Sequence, residues 1–337
     1  MMKLCGIFLV LGLLVSGSVA ADDALDPFLG QWALYLPGGA GWLEVTNDKG
    51  YLDARLLWYG GSVVPVSHVY LDDNTLVVTR VNEQIKEKDE DGSIERLHLR
   101  TQLFKFMFYG DQLVGKHISP AGHGLSTATR TFTAEKIPPV PPAPDLSELK
   151  FDKPISLFNG KNLDGWELMG ENRVNGWSVQ DGVLVNNPVQ EEGEPHIPYG
   201  NLRTVQEFED FNLKLQVKVP KGSNSGVYLR GIYEVQVADT YGREPDSHNM
   251  GAIYSRITPS VAAEKPAGEW QSLDITLADR HVTVILNGTT IIDNKPLYGV
   301  TGGAITADQF SPGPIYLQGD HGKVSYRNMM LAPIVSE

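Results

Sequence analysis

The stretch GVYLRGIYEVQVADTYG, residues 226–242, holds two short β-like runs joined at Gly231. Successive side chains of a strand point to opposite faces, so the residues sort by parity. Tyr233, Val235 and Val237 form an apolar face, and Glu234, Gln236 and Ala238 the opposite one. In the first run Val227 and Leu229 are apolar, while Tyr228 and Arg230 point the other way. Two adjacent strands of this kind bury one face and present Tyr228, Arg230, Glu234 and Gln236 on the other. Such a face can hydrogen-bond a sugar-sized ligand.

The same punctuated alternation extends in both directions, and no helix-period pattern of useful length interrupts it. Residues 211–219 place Phe211, Leu213, Leu215, Val217 and Val219 on one face, with Asn212, Lys214, Gln216 and Lys218 opposite. Asn287-Gly288 between two apolar runs is a hairpin signal. The runs over 150–334 predict a two-sheet sandwich, with a long irregular segment at 243–268. Residues 22–136 contain runs at 42–45, 51–58, 63–69, 75–81, 94–108, 112–118 and 127–134, separated by turn residues. They predict an antiparallel, barrel-like unit. Gly30-Gln31-Trp32 resembles the G-x-W opening of lipocalin-like barrels, where the tryptophan either lines a ligand cup or packs under one barrel end. Between the two units, residues 137–149 open on IPPVPPAP, a stiff polyproline-type spacer. The expected fold class is all-β.

Composition narrows the partners. The 337-residue chain carries 28 Lys+Arg against 41 Asp+Glu, a net charge of −13, which argues against nucleic acid. Residues 1–20 read as a secretory signal: Lys3, an apolar core at 7–15 and a small-residue cleavage site at Ser18-Val19-Ala20. Export to the periplasm or medium is expected. The one cysteine, Cys5, would leave with this signal, so the mature chain would have no disulfide or thiolate chemistry. No other segment is apolar enough to span a membrane. Oligomeric state stays open.

Seven ordered motifs carry a family resemblance: LFNGKNLDGW (157–166), GWSVQDGVL (176–184), NSGVYLRGIYEVQVADTYG (224–242), GAIY (251–254), GEWQSLDITL (268–277), Asn287-Gly288, and GPIYLQGDHGKVSYRNM (313–329). Residues 150–334 resemble the 3-keto-disaccharide hydrolase domain family; residues 22–136 do not. The resemblance implies a concanavalin-like jelly roll acting on glycosides whose C3 hydroxyl has been oxidised to a ketone. Gly319, within Gln318-Gly-Asp-His321, departs from the family pattern and is expected to displace Asp320 or His321.

A ketone at C3 acidifies the C2 proton. A base can remove it, the glycosidic oxygen leaves from C1, and water adds back for net hydrolysis. That route needs a base, a stabiliser for the enolate and a proton donor for the leaving oxygen. Glu234 is the first candidate, as acid/base or metal ligand; the alternative is a charge facing solvent. His248 in the long segment and His321 after the 314–318 run are the other catalytic candidates, each equally readable as a histidine without a role. Tyr228, Arg230, Gln236, Asp239, Gln318 and Asp320 are candidate substrate-binding residues. Their bland readings are an ion pair for Arg230, rim aromatics, and a turn-forming aspartate for Asp239. Asn224 and Arg243 are lesser candidates. A divalent metal on Glu234 with His248 or His321 is conceivable, though no compact ligand spacing is present.

A conventional retaining glucanase wants two carboxylates about 5 Å apart. Positions 234, 236 and 238 are Glu, Gln and Ala, so elimination is favoured over double displacement. The competing class is a non-catalytic, lectin-like carbohydrate-binding protein. Convergence of Glu234, Arg230, Gln236 and a histidine in one pocket separates the two.

Overall fold

The computed structural model describes residues 24–335 apart from 123 and 192, so the segment read as an export signal, with Cys5, lies outside the described residues. The described chain is all-β except for a helical turn at 24–28. Among the described residues no helix is long and apolar enough to cross a membrane.

The N-terminal half is one nine-stranded antiparallel sheet. Its spatial order is Val64–Pro65, Tyr51–Trp58, Gly39–Asp48, Gly30–Leu36, Thr127–Lys136, Gln112–Pro120, Ile94–Tyr109, Thr75–Lys88, His68–Asp72. The two edge strands are consecutive in the chain and separated by Val66 and Ser67 alone, so the sheet has to roll up. Val66 N–H donates to Ala54 O on one edge and Ser67 N–H to Thr79 O beside the other. The run expected at 63–69 is therefore two strands, and its break is the seam that closes the barrel. Gly30–Leu36, absent from the expected runs, is a full strand.

Side chains fill the barrel interior: Leu34, Leu43, Leu56, Phe104, Phe106 and Phe132 are all buried. Trp32 is buried, with its indole N–H donating to Phe28 O at 2.8 Å, and it also lines a cavity with Pro27, Phe108 and Lys136. Phe132 lies over its cross-strand partner Gly115, where a Cβ would fall 2.2 Å from the ring. Gly115→Ala is therefore expected to destabilise the protein by about 1–3 kcal/mol through overpacking. Denaturant unfolding checks this, and a cost below about 0.5 kcal/mol would show that the ring can move aside.

The C-terminal half is a jelly-roll sandwich of two antiparallel sheets. One holds eight strands, with Val324–Pro333, Phe211–Lys218 and Trp270–Ala278 at its centre. Phe211, Leu213, Leu215 and Val217 face the core as parity requires. The Asn287-Gly288 turn joins His281–Leu286 to Thr289–Pro296, both turn residues at positive φ. The other sheet runs Trp166–Leu168, Leu202–Phe208, Gly313–Leu317, Asn224–Leu229, Tyr233–Ala238. Its inner face, including Val227, Leu229, Val235, Ile315 and Leu317, completes the core.

Tyr233–Ala238 would be an exposed sheet edge. The long segment covers it: Gln236 N–H donates to Ala252 O, Gly251 N–H to Gln236 O, and Tyr254 N–H to Glu234 O. That backbone demand accounts for a long irregular segment with Met250, Ala252 and Ile253 buried.

The barrel does not hang from its proline stretch. Ala33, Ala40, Trp42 and Leu57, on its outer face, and Ile137 belong to the same buried cluster as Leu297, Val300 and Ala304 of the sandwich. The prolines lie along the sandwich, with Arg280 Nη1 donating to Pro138 O at 3.3 Å and Asn294 Nδ2 to Pro144 O at 2.9 Å.

Candidate active site

The outer face of the five-stranded sheet floors a pocket of ≈ 590 Å³, within the range of about 300–1,000 Å³ usual for small-ligand sites. Strand register sets its contents. Tyr228 pairs with Glu234 on one side and Tyr316 on the other, so three side chains stand in a row across three strands. The Tyr228 and Tyr316 rings stack 3.8 Å apart. Two residues along, Gly226 pairs with Gln236, and its missing side chain makes room for the carboxyl, since a Cβ there would fall 2.5 Å from Glu234 Oε1.

Glu234 is 4 % exposed. The Tyr228 hydroxyl lies 2.8 Å from Glu234 Oε2 and 2.8 Å from Gly302 O. A phenol has one hydrogen to donate, and a carboxylate and a carbonyl both need one. Both contacts are satisfied when Glu234 is protonated: its O–H donates to Tyr228, whose own O–H donates to Gly302 O. Burial acts in the same direction, raising the Glu234 pKa to about 8, opposed by the Tyr228 hydrogen bond. Burial lowers the His321 pKa, opposed by the nearby Asp320 charge. At neutral pH the pocket therefore holds a neutral carboxylic acid and a neutral imidazole.

The pocket brings together Glu234, Tyr228, Gln236, Gln318, Asp320, His321 and Asn224. Gly319 does not remove Asp320 or His321 from it. Its N–H is held by Asn201 Oδ1 and its carbonyl by Asn186 Nδ2. Asp320 then accepts from Tyr199 N–H at 3.1 Å and faces His196 Nε2 at 3.1 Å. Asn224 Oδ1 and Gln318 Oε1 are buried acceptors without a protein partner, placed to receive hydroxyl donors.

Three expected site residues fall elsewhere. Arg230 sits at φ 52° beside Gly231 at φ 68°, which breaks the strand alternation that put it with Tyr228. Its guanidinium turns to Ser311 O and Gln309 O on the far side of the sheet. Asp239 accepts from Gly222 N–H at 2.9 Å, its turn-forming reading. His248 stands behind Tyr254, edge-on at 4.8 Å, with Nδ1 on Asp246 Oδ1 at 2.7 Å and Nε2 on Ser62 Oγ at 2.8 Å. Arg243 does not line the pocket either. Of the two histidines considered as metal partners for Glu234, His321 lines the pocket with it and His248 does not; among the described residues no three His, Cys, Asp or Glu side chains gather as ligands.

Arg173, Tyr199, Asn201 and Tyr254 also line the pocket. They lie outside strands, and no periodicity marks them. Tyr316 was legible, since it shares parity with Gln318 in GPIYLQ.

Residues 153–332, over half of the chain, match the family described as the 3-keto-alpha-glucoside-1,2-lyase-like domain. The chain belongs to this family. A curated relative is a 3-keto-disaccharide hydrolase of Bacteroides thetaiotaomicron, 28% identical over 149 residues, covering 36% of this chain and 51% of the relative. This chain thus spans about half the length of the curated relative it matches. A solved Parabacteroides distasonis structure, described as a candidate glycosyl hydrolase, is 30% identical. It covers 58% of this chain and 93% of that one, with a TM-score of 0.43. The family match covers the whole sandwich, including every strand of the pocket floor, and none of the barrel.

Proposed function

We propose that the protein cleaves 3-keto-glycosides by elimination, with water adding afterwards for net hydrolysis. The observation that carries this reading is that a buried Glu234, in contact with the Tyr228 hydroxyl, and His321 line one pocket, with burial favouring the neutral form of each. When environment pushes two groups' pKa values apart, one is left fit to give a proton and the other to take one. His321 takes the C2 proton, and the electrons move onto the C3 oxygen as an enolate. The enolate collapses to the ketone with a C1–C2 double bond as the C1–O bond breaks. The Glu234–Tyr228 pair supplies the proton to the leaving oxygen. Water then adds across the double bond. Arg173 is the cation on the pocket wall nearest in kind to an enolate stabiliser, and Asn224 and Gln318 take sugar hydroxyls.

Gln236 stands where a double displacement wants a second carboxylate, and Asp320 is already engaged by Tyr199 and His196. The test is incubation with a 3-keto-disaccharide and with its unoxidised parent. Cleavage of the keto sugar alone is expected, with a rate that falls on the acid side as His321 protonates and on the alkaline side near pH 8 as Glu234 ionises. Equal cleavage of both sugars would indicate an ordinary glycosidase. Binding of either sugar without turnover would indicate a lectin.

A further inference from the structure

The pocket has a direction. Read along Asn224–Leu229, it starts at Asn224, passes Gly226 beside Gln318, reaches Tyr228 between Glu234 and Tyr316, and ends at Gly302–Gly303. The Asn224 end is rich in polar side chains, with Arg173, Asp320 and His321 around it. The Gly302 end is closed by the other half of the molecule: Gly38, Gly60 and Gly61 of the barrel line it.

That wall is fixed. Gly303 N–H donates to Tyr59 O at 2.9 Å, Val63 N–H to Ser255 Oγ at 2.9 Å, and Ser62 Oγ meets His248 Nε2 at 2.8 Å. The backbones touch: a Cβ on Gly302 would fall 2.2 Å from Gly61 O. Gly302 O and Gly303 O in turn hold the hydroxyls of Tyr228 and Tyr316 at 2.8 and 2.7 Å. The barrel thus abuts the loop that orients the Glu234–Tyr228 pair.

We propose that the N-terminal barrel is part of the substrate site, its 59–62 turn and Gly38 forming a second sugar subsite for the ring beyond the scissile bond. The proposal rests on the saccharide reading of the pocket. The division of labour follows from the lining. Hydroxyl-matching side chains stand at the Asn224 end, where the oxidised ring needs orienting. The barrel end offers backbone groups and little side-chain bulk, which accepts a leaving sugar without reading its hydroxyls one by one. This gives the barrel a task in holding the leaving group, and it makes the two halves one enzyme.

Gly60 provides the test. A Cβ there meets nothing within 4 Å, and its φ is not positive, so a side chain fits without backbone strain. Gly60→Leu should fill the barrel end and leave the fold intact, which an unchanged thermal midpoint checks. The measurement is calorimetric binding of a 3-keto-disaccharide and its 3-keto-monosaccharide, in the Glu234→Gln protein with and without Gly60→Leu. The expected result is loss of disaccharide affinity by about 10-fold or more, with monosaccharide affinity held within about twofold. Equal weakening of both ligands, or of neither, would overturn the subsite. So would a Glu234→Gln protein that binds the disaccharide no tighter than the monosaccharide. Continued cleavage by Glu234→Gln would instead sink the lyase reading, and the same comparison made on KM still decides the subsite.

Discussion

Replacing Glu234 by glutamine is expected to lower turnover of a 3-keto-disaccharide by about 100- to 10,000-fold while making the folded protein more stable at alkaline pH. Both effects come from one proton. Glutamine keeps the shape of a protonated carboxyl, and its Nε2 can donate to Tyr228 as the acid does, so the chain to Gly302 O survives. It has no proton to deliver, so the chemical step loses its donor. For stability the sign follows from linkage. The Glu234 pKa is raised to about 8 in the fold, against an ordinary carboxyl value of 4.5. Between these values the unfolded chain has released its proton and the folded chain retains it, so wild-type stability falls as pH rises through that window and levels off above about 8. The loss is on the order of a few kcal/mol, because each unit of pKa difference is worth about 1.4 kcal/mol. Glutamine carries no such slope. Denaturant unfolding of both proteins at pH 5 and pH 9 measures the gap, which should open toward pH 9 in favour of the variant. A gap that is the same at both pH values would mean that Glu234 is ionised in the folded protein, and the donor role would go with it.

The carboxyl was legible in the sequence because strand parity is a local property. Glu234 and Gln236 had to oppose Tyr233, Val235 and Val237, and cross-strand register then had to bring Tyr228 alongside. The same rule misplaced Arg230, because it holds only while φ stays in the β region, and Arg230 begins a turn. His248 sits in an irregular segment where no periodicity sets a direction; its ring lies outside the pocket because the segment's first demand is to pair with the edge of Tyr233–Ala238. Barrel closure was hidden in a run of seven residues that reads as one strand. The barrel's docking left a trace that composition concealed. Leu56-Leu57 and Trp42-Leu43 are apolar on consecutive positions, which for a strand means burial on both faces. Leu43 and Leu56 face the barrel interior, and Trp42 and Leu57 face the sandwich. The five prolines at 138–144 have the composition of a stiff spacer, yet they lie along the sandwich.

The second large effect lies at that interface. Trp42→Ala is expected to destabilise the protein by about 3–5 kcal/mol, the usual cost of truncating a buried aromatic to alanine. Trp42 is 1 % exposed although it points out of its own barrel. The Arg256 guanidinium lies 4.1 Å from the indole centroid and is held by Val300 O through Nε at 3.1 Å. Burial lowers the Arg256 pKa to about 9, so it is still charged at neutral pH and needs the ring it stacks on. Gly299 lies close enough to the indole that a Cβ would fall 2.5 Å from it, so the ring also supports the loop that ends at Gly302 and Gly303. Removing the indole leaves a cavity, strips a cation of its partner and loosens the loop that holds Tyr228 and Tyr316. Stability and disaccharide binding should therefore fall together, although Trp42 lies outside the pocket lining. Trp42→Phe keeps a face for Arg256 and should recover part of both losses. Denaturant unfolding and calorimetry on the two variants read this coupling. A Trp42→Ala protein that loses stability and binds the disaccharide as tightly as wild type would show that the barrel's seat and the pocket are energetically separate.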